Sequence, residues 1–240
     1  FELTTVALIL SIIIGIPLGI VSATKKDTTL DHATRIFCMS GVSMPIFWSG
    51  LMLQLLFTST LHMFPSSGRV DYFIHLNNPI QRITGMYLLD SLITSNWSAF
   101  LSAVKHMLLP AITLSYASLV QISRITRSSM IEVLRQEYIR TARAKGLPEK
   151  IVIYKHALKN ALLPTTTLAG LTYGFMLGGS VLIESIFDWP GIGLYAIRSA
   201  LIIDYPAIMG VTLLFSIIYT TVNLTVDLLY ALLDPRIRYG

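Results

Sequence analysis

The sequence predicts an all-α integral membrane protein. Of its 240 residues, 53% are hydrophobic and only 13% are charged, whereas a soluble domain usually carries about 25% charged residues. Five predominantly apolar runs approach or exceed the roughly 20 residues that a membrane-crossing helix needs. No internal repeat or low-complexity tract divides the chain. We therefore expect one transmembrane domain that covers residues 1–240.

The five apolar runs are the predicted membrane spans. They are residues 3–24, 36–61, 104–126, 163–184 and 205–228. Pro17, Pro45 and Pro110 lie in or near these runs, and proline is tolerated in a spanning helix where neighbouring helices satisfy the freed backbone groups. The prolines therefore favour a packed bundle. Two polar segments separate the spans, a loop over 62–102 with a short helix expected from Pro79 to Leu92, and a basic loop over 128–162.

The distribution of basic residues predicts the orientation of the spans. Five spans place fourteen of the eighteen Lys and Arg residues on one side of the membrane. The positive-inside rule assigns that side, which includes the C-terminus, to the cytoplasm, and the loop 62–102 to the outside. An outward N-terminus that begins at Phe1 normally follows an earlier span or a cleaved signal. We therefore expect one further helix N-terminal to this sequence.

The basic loop has the pattern of two helices joined by a turn. Nothing between Ser128 and Lys145 breaks a helix, Gly146 is a natural helix end, and Pro148 suits the first turn of the next helix. We expect the second helix to stop before Pro164. The apolar stripes are predicted at Met130, Val133, Leu134, Tyr138, Thr141 and Ala142 in the first helix, and at Ile151, Tyr154, Leu158, Ala161 and Leu162 in the second. Such a face fits either a partner's groove or an anionic lipid surface.

Five motifs in order resemble the permeases of ABC importers, and most closely the dipeptide/oligopeptide/nickel permease family of binding-protein-dependent transport inner membrane components. They are Ser43–Trp48, Arg140–Gly146 with His156–Pro164, Phe187–Gly193, Asp204–Pro206 and Leu233–Tyr239. The family-wide loop motif begins Glu-Ala-Ala, whereas Arg140 and Thr141 occupy its first two places here and only Ala142 matches. This departure resembles the peptide/nickel branch of the family.

The resemblance implies a type I ABC-importer permease fold in the cell inner membrane, with a multi-pass chain that ends in the cytoplasm. The implied partners are a homologous second permease, two ATPase subunits that bind ATP and Mg, an extracytoplasmic solute-binding protein and the bilayer. No cofactor is implied on this chain. The residues that match the ATPase-coupling loop are Arg140, Thr141, Ala142, Arg143, Gly146, Leu147 and Pro148. Those that match the outer gate and binding-protein contact are Trp189, Pro190, Gly191, Gly193, Asp204, Tyr205 and Pro206.

The outer segment after the fourth span is predicted to be a compact re-entrant loop. Two glycines and two prolines bracket about fifteen residues, and a short helix is expected over Ala196–Ile203. Two interpretations stay open for this loop. It closes the transport path, or it only packs Trp189 at the membrane interface, where aromatic residues are enriched.

Other chemistries fit the sequence poorly. The histidines are scattered without metal-ligand spacing, and no phosphate-binding Gly-x-x-x-x-Gly-Lys motif or nucleophile elbow occurs. We therefore expect neither a catalytic or metal site nor nucleic-acid binding. Glu184 and Asp227 are expected at solvated span edges, and Gly178 with Gly179 at a helix-packing site. A non-transporting scaffold or channel remains an alternative class. For the importer, the cargo is expected to be peptides, with nickel chelates and oligosaccharides left open.

Overall fold

A computed structural model describes residues 1–233 of the chain, except for the side chains of Val42, Gly179, Asp227 and 229–233. Every regular element in this part of the chain is a helix, so the predicted all-α class is confirmed. The closing motif Leu233–Tyr239 lies almost entirely outside the described residues, as does the side chain of Asp227.

The described residues form eleven α-helices and two π-helical segments. The α-helices are α1 Glu2–Thr24, α2 Thr29–Ser43, α3 Ile46–Gln54, α4 Tyr72–Asn77, α5 Tyr87–Ile93, α6 Trp97–Leu134, α7 Glu137–Ala144, α8 Glu149–Ile151, α9 Leu158–Ile186, α10 Ile192–Leu201 and α11 Tyr205–Leu233. The π-helical segments are Leu55–Thr60, which follows α3, and Val152–Ala157, which joins α8 to α9.

Among the described residues, three helices are long and apolar enough to cross a membrane, namely α1, α6 and the first 22 residues of α11. The number rises to five if each of two bent helix pairs forms one span, Thr29–Gly41 with Ile46–Thr60 and Glu149–Gly178 with Ser180–Ile186. Each of the five predicted spans falls on one of these helices or pairs. The exact number of crossings stays a prediction.

The chain divides into two compact units. The first unit consists of Phe1–Ala7, Met44–Leu114 and Met176–Ile217, and the second of Leu8–Ser43, Ser115–Phe175 and the described residues from Ile218 onward. The helices α1, α6, α9 and α11 contribute residues to both, so neither unit is a continuous segment of the chain. The first unit contains the predicted outer loops, and the second contains the basic loop.

In the second unit, two glycines of α1 allow this helix to approach α6 closely. A Cβ atom on Gly15 would lie 2.9 Å from the carbonyl oxygen of Leu119, and one on Gly19 would lie 2.6 Å from the Cβ of Thr126. Small residues four apart are a common device for close helix contact in membranes. By contrast, a Cβ on Gly178 would meet no atom of the described residues within 4 Å, so Gly178 packs against no other helix in this part of the chain.

Pro164 lies inside α9 rather than at the end of a helix, which corrects the predicted stop. Proline removes one backbone donor and disturbs the carbonyls of the preceding turn. Hydroxyl groups that follow it supply hydrogen bonds to this turn: Thr165 donates to the carbonyl of Ala161 at 3.5 Å and Thr167 to that of Leu163 at 3.2 Å. Threonine side chains are one of the means by which a membrane helix tolerates proline, so α9 continues.

The helix predicted over Pro79–Leu92 is shorter than expected, because Asp90 organises the residues before α5 into a turn. Its buried carboxylate accepts hydrogen bonds from the backbone N–H of Thr84 at 2.8 Å and of Gly85 at 3.0 Å. Burial raises the pKa of Asp90, but the hydrogen bonds from the Thr84 hydroxyl and from three backbone N–H groups outweigh it, and the net pKa is lowered. Only Tyr87–Ile93 is helical.

The contact between α1 and α6 can be tested with a pair of glycine substitutions. We expect Gly19→Ala to lower the free energy of unfolding by about 1–3 kcal/mol, because the added methyl group overpacks the contact with Thr126 and the Ser123 carbonyl. Thermal unfolding of the purified protein in detergent measures the change. Gly210→Ala is the matched control, since a Cβ there meets no atom within 4 Å. Equal stability of the two variants would contradict the packing role of Gly19.

Candidate functional site

The first helix of the basic loop is interrupted, which corrects the prediction of one unbroken helix over Ser128–Lys145. The helix α6 ends at Leu134, and α7 begins at Glu137. Between them the backbone N–H of Gln136 bonds the carbonyl of Val133 at 3.0 Å, and Gln136 itself is extended. This turn rotates α7 relative to an unbroken helix, so that Ile139 is buried instead of Tyr138.

The helix α7 ends in a Schellman motif. The backbone N–H of Gly146 bonds the carbonyl of Arg143 at 2.9 Å, and that of Leu147 bonds the carbonyl of Ala142 at 3.4 Å. Gly146 has a φ of +74°, a left-handed conformation that glycine adopts without strain. Pro148 then caps α8, one residue earlier than its predicted place in the first turn. The predicted helix end at Gly146 is confirmed.

A π-helical turn shifts the buried face of the second helix in the loop. Val152, Ala157 and Ala161 are buried, whereas Ile151 and Tyr154 of the predicted stripe are 40% and 59% exposed. The wide turn over Val152–Ala157 inserts an extra residue relative to an α-helix, which changes the spacing of the inward positions. Neither glycine nor proline marks this turn, so a regular helical period places Ala161 on the buried face correctly but assigns Ile151 and Tyr154 to that face wrongly.

The inward faces of the loop pack against the chain itself. Ile139 and Ala142 of α7 join Met130 of α6 and the buried residues after α8 in one core cluster, which also contains Ile20 and Ala23 of α1. Leu147 packs against the edge of this cluster. The apolar face that we predicted for a partner is therefore largely covered within the second unit. Ala142, one of the predicted coupling residues, has its side chain in this interior.

The outward side of the loop combines two aromatic residues with basic groups. We call it the exposed loop face. It consists of Tyr138, Arg140, Thr141, Arg143, Ala144, Lys145, Gly146, Pro148, Ile151, Tyr154 and Lys155. The hydroxyl of Tyr138 accepts a hydrogen bond from the side-chain amide of Asn160 at 2.7 Å, which fixes the position of its ring. Of the predicted coupling residues, Arg140, Thr141, Arg143, Gly146 and Pro148 lie on this face.

Two ion pairs lie in the loop. The guanidinium of Arg143 donates to both carboxylate oxygens of Glu149, at 2.6 and 3.1 Å, across the Gly146 turn. This hydrogen bond, opposed by burial, holds the pKa of Glu149 below its ordinary value. Arg140 pairs with Glu137 at 2.7 Å in an exposed position. Lys145, Lys150, Lys155 and Lys159 have no carboxylate partner among the described residues, and the loop therefore stays positively charged.

A buried carboxylate that the sequence analysis passed over joins three helices of the second unit. Asp31, at the start of α2, accepts hydrogen bonds from the hydroxyl of Ser22 in α1 at 2.5 Å and from Arg127 in α6 at 3.0 Å to each carboxylate oxygen. An aspartate in the first helical turn after a short connection is the signal that could have indicated such a link.

The predicted outer gate lies in the first unit, where Glu184 is its structural centre. Its buried carboxylate accepts hydrogen bonds from the Ser180 hydroxyl and from the backbone N–H of Leu194, both at 3.0 Å. The expectation of a solvated Glu184 is therefore wrong. A Cβ on Gly191 would lie 2.5 Å from the Glu184 carboxyl carbon, and one on Gly193 would lie 2.6 Å from the Cα of Val181. Both glycines are thus required for close packing.

Trp189 is buried, with only 4% of its surface exposed, so its ring packs inside the protein instead of facing lipid. The guanidinium of Arg69 lies 5.4 Å from its ring centroid and 3.8 Å from that of Tyr87, and Arg69 also forms an ion pair with Glu2. The backbone N–H of Gly68 bonds the carbonyl of Phe187 at 3.1 Å. The outer loop is therefore tied to the segment 68–87 of the same unit.

Two of the predicted gate residues, Pro190 and Gly191, line an apolar groove of about 460 Å³. Its walls are Pro190, Gly191, Ile192 and Tyr195 on one side, and Ala207, Gly210, Val211 and Leu214 on the other. Tyr205 and Pro206 are exposed at the start of α11, and half-buried Asp204 accepts a hydrogen bond from the backbone N–H of Ala207 at 3.2 Å. The short helix expected over 196–203 is present as α10.

Comparison with known proteins assigns the chain to a family. Residues 15–239 match the family described as binding-protein-dependent transport system inner membrane component. The chain belongs to this family. The permease resemblance inferred from the five motifs is therefore confirmed, and with it the assignment to the inner membrane component of a transport system that works with other subunits.

Curated relatives match the permease over nearly its whole length. It is 45% identical to the probable D,D-dipeptide transport system permease protein DdpB of Escherichia coli K12, over 100% of this chain and 69% of that protein. It is 46% identical to the dipeptide transport system permease protein DppB of Alkalihalophilus pseudofirmus, over 99% of this chain and 70% of that protein. It is 38% identical to the oligopeptide transport system permease protein AppB of Bacillus subtilis, over 99% of this chain and 68% of that protein.

The buried carboxylate of the outer loop gives a test of how the permease positions α10. We expect Glu184→Ala to destabilise the permease by about 1–3 kcal/mol, because the N–H of Leu194 is left buried without an acceptor. The control is Arg198→Ala, which removes only an exposed ion pair with Asp188. Thermal unfolding of the two variants measures the difference, and equal unfolding temperatures would contradict the assigned role of Glu184.

Proposed function

We propose that the permease is the transmembrane subunit of an ATP-driven ABC importer that carries dipeptides or oligopeptides into the cell. Membership of the binding-protein-dependent family supports the importer class. The relatives named as dipeptide permeases support the cargo, because they are 45–46% identical over 99–100% of this chain. The chain itself carries out no ATP hydrolysis in this proposal, and it binds no cofactor.

The proposal that this loop couples the ATPase to the membrane helices rests on one observation, the packing of α7 against the core cluster. One face of α7 is anchored by Ile139 and Ala142 against residues of α1 and α6, while the opposite face is exposed. The ion pair from Arg143 to Glu149 and the Schellman turn at Gly146 fix the end of α7. A force applied to the exposed loop face is therefore transmitted to α1 and α6 instead of being absorbed by a free linker.

In the proposed mechanism, an ATPase subunit binds the exposed loop face on the cytoplasmic side. ATP and Mg bind to the two ATPase subunits, and closure of that pair moves α7 together with the helices on which it is seated. A homologous second permease completes the transport path, and a solute-binding protein delivers the cargo outside. The C-terminus lies in the cytoplasm, as the concentration of basic residues in the loop supports.

Two alanines of α7 offer a matched test of the coupling surface. Ala144 is exposed and Ala142 is buried, although they are two residues apart on the same helix. With Cys38 replaced by serine and the introduced thiol labelled with a benzophenone maleimide, we expect photolysis to cross-link Ala144→Cys to the ATPase subunit in the assembled transporter, and to give no such product for Ala142→Cys. Gel analysis measures the cross-link. Equal cross-linking of both positions, or cross-linking of neither, would refute docking on the exposed loop face.

The cargo is tested by uptake into proteoliposomes that contain the whole transporter, its solute-binding protein and a labelled dipeptide. We expect uptake that depends on ATP and that unlabelled dipeptides and oligopeptides inhibit. A nickel chelate and an oligosaccharide serve as the controls, and neither should compete. Competition by either control but not by peptides would exclude the peptide assignment while leaving the importer class intact. Absence of ATP-dependent uptake of every cargo would contradict the importer itself.

A further inference from the structure

A cavity of about 350 Å³ lies in the second unit, between α2 and α6 and next to the end of α1. It is lined by Ser22, Thr34, Arg35, Cys38, Met39, Ser43, Val120, Ser123, Arg124 and Arg127. The residues of the basic loop do not contribute to it, and neither the proposed coupling surface nor the outer groove uses it. Three of its ten lining residues are arginines, which is an unusual lining for a cavity at the edge of an apolar helix bundle.

The charges around the cavity do not balance. Asp31 forms two hydrogen bonds with Arg127, so its negative charge is committed to that guanidinium. Arg35 lies one helical turn after Asp31 on α2, and Arg124 lies one turn before Arg127 on α6. Neither has a carboxylate partner among the described residues. Two like charges that face one cavity repel each other unless an anion lies between them.

The depth and the edge of the cavity indicate what kind of anion fits. Arg35 lies six residues after the first residue of α2, which is about 9 Å along the helix. If α2 begins at the membrane surface, this distance keeps Arg35 at the level of the lipid headgroups and the first acyl carbons. Ile36 and Met39, beside Arg35, are each 68% exposed. The cavity therefore combines cationic groups with an open apolar edge.

We propose that this cavity binds an anionic phospholipid, whose phosphate is held by Arg35 and Arg124 and whose acyl chain lies along Ile36 and Met39. A small inorganic anion would leave the apolar edge uncovered, whereas a phospholipid satisfies both features. Anionic lipids are the abundant anions at this depth, and basic pockets between membrane helices recognise their headgroups. The side chains of Thr34 and Ser123 line the same cavity. This site is independent of the cargo and of the coupling surface.

The single cysteine of the chain provides a reporter inside the cavity. Cys38 is half-buried and lines the site. In the whole transporter reconstituted in nanodiscs, we expect phosphatidylglycerol to slow alkylation of Cys38 by N-ethylmaleimide relative to discs of phosphatidylcholine alone. Mass spectrometry of the Cys38 peptide measures the rate. In Arg35→Gln/Arg124→Gln, the apparent affinity for phosphatidylglycerol should fall by about thirty-fold, and the protection should be lost at the wild-type lipid content.

Matched variants separate binding from general effects of charge or folding. The double variant Arg135→Gln/Lys159→Gln removes two exposed basic groups of the same unit outside the cavity, and it should keep the wild-type protection. The double variant Arg35→Lys/Arg124→Lys keeps both positive charges and should retain most of the protection by phosphatidylglycerol. The ratio of alkylation rates in the two lipids is compared within each variant, so that changes in the intrinsic reactivity of the thiol cancel.

Several outcomes would overturn the proposal. Protection by phosphatidylglycerol that survives in Arg35→Gln/Arg124→Gln, or that is lost equally in the control double variant, would exclude a specific site. Protection by soluble glycerol phosphate as effective as that by phosphatidylglycerol would indicate a free-anion site instead of a lipid site. Protection by trialanine in phosphatidylcholine discs would place the cavity on the cargo path. Each result can be obtained whether or not the transport proposal holds, because the assay does not measure uptake.

Discussion

The close approach of α1 to α6 at Gly15 and Gly19 is the contact on which the second unit depends. Lipid tails are as apolar as the helices, so the hydrophobic effect gives little drive for association inside a membrane, and small residues that permit backbone contact take its place. This contact brings Ile20, Ala23 and Met130 together as a platform. The loop helix α7 packs on that platform, so its rigidity derives from two glycines distant from it in the sequence.

Buried carboxylates also hold helices together, and each unit contains one that links helices through hydrogen bonds. In the second unit the carboxylate of Asp31 joins α1, α2 and α6, and in the first unit the carboxylate of Glu184 joins α9 to the start of α10. Each acid is buried and each has its oxygens satisfied, which is the condition under which a buried polar group stabilises instead of costing free energy. The helices that move in the proposed mechanism are thus linked to their neighbours at Asp31 and at Glu184.

The sequence predicted the helices well because long apolar runs leave few alternatives, and it located the end of α7 because Gly146 carries a specific backbone requirement. It failed where no residue type marks a departure from a regular helix, and where a buried side chain has a partner outside its own helix. The turn at Gln136 and the π-helical segment after Ile151 contain no breaking residue, so a regular period assigned Tyr138 and Tyr154 to the inward face. Nor does a local pattern show that Glu184 and Trp189 are buried, because their partners come from other segments.

The π-helical segment Val152–Ala157 has a consequence for how loop length can vary among such proteins. An added residue in an ordinary α-helix rotates everything that follows by about 100° about the axis. A wide turn absorbs that residue locally, so the helical phase of Glu149–Ile151 and that of α9 are set independently. A loop with one more or one fewer residue can therefore keep its packing against Ile20, Ala23 and Met130. The helix α9 beyond it keeps its own rotation about its axis, because the π-helical segment accommodates the change.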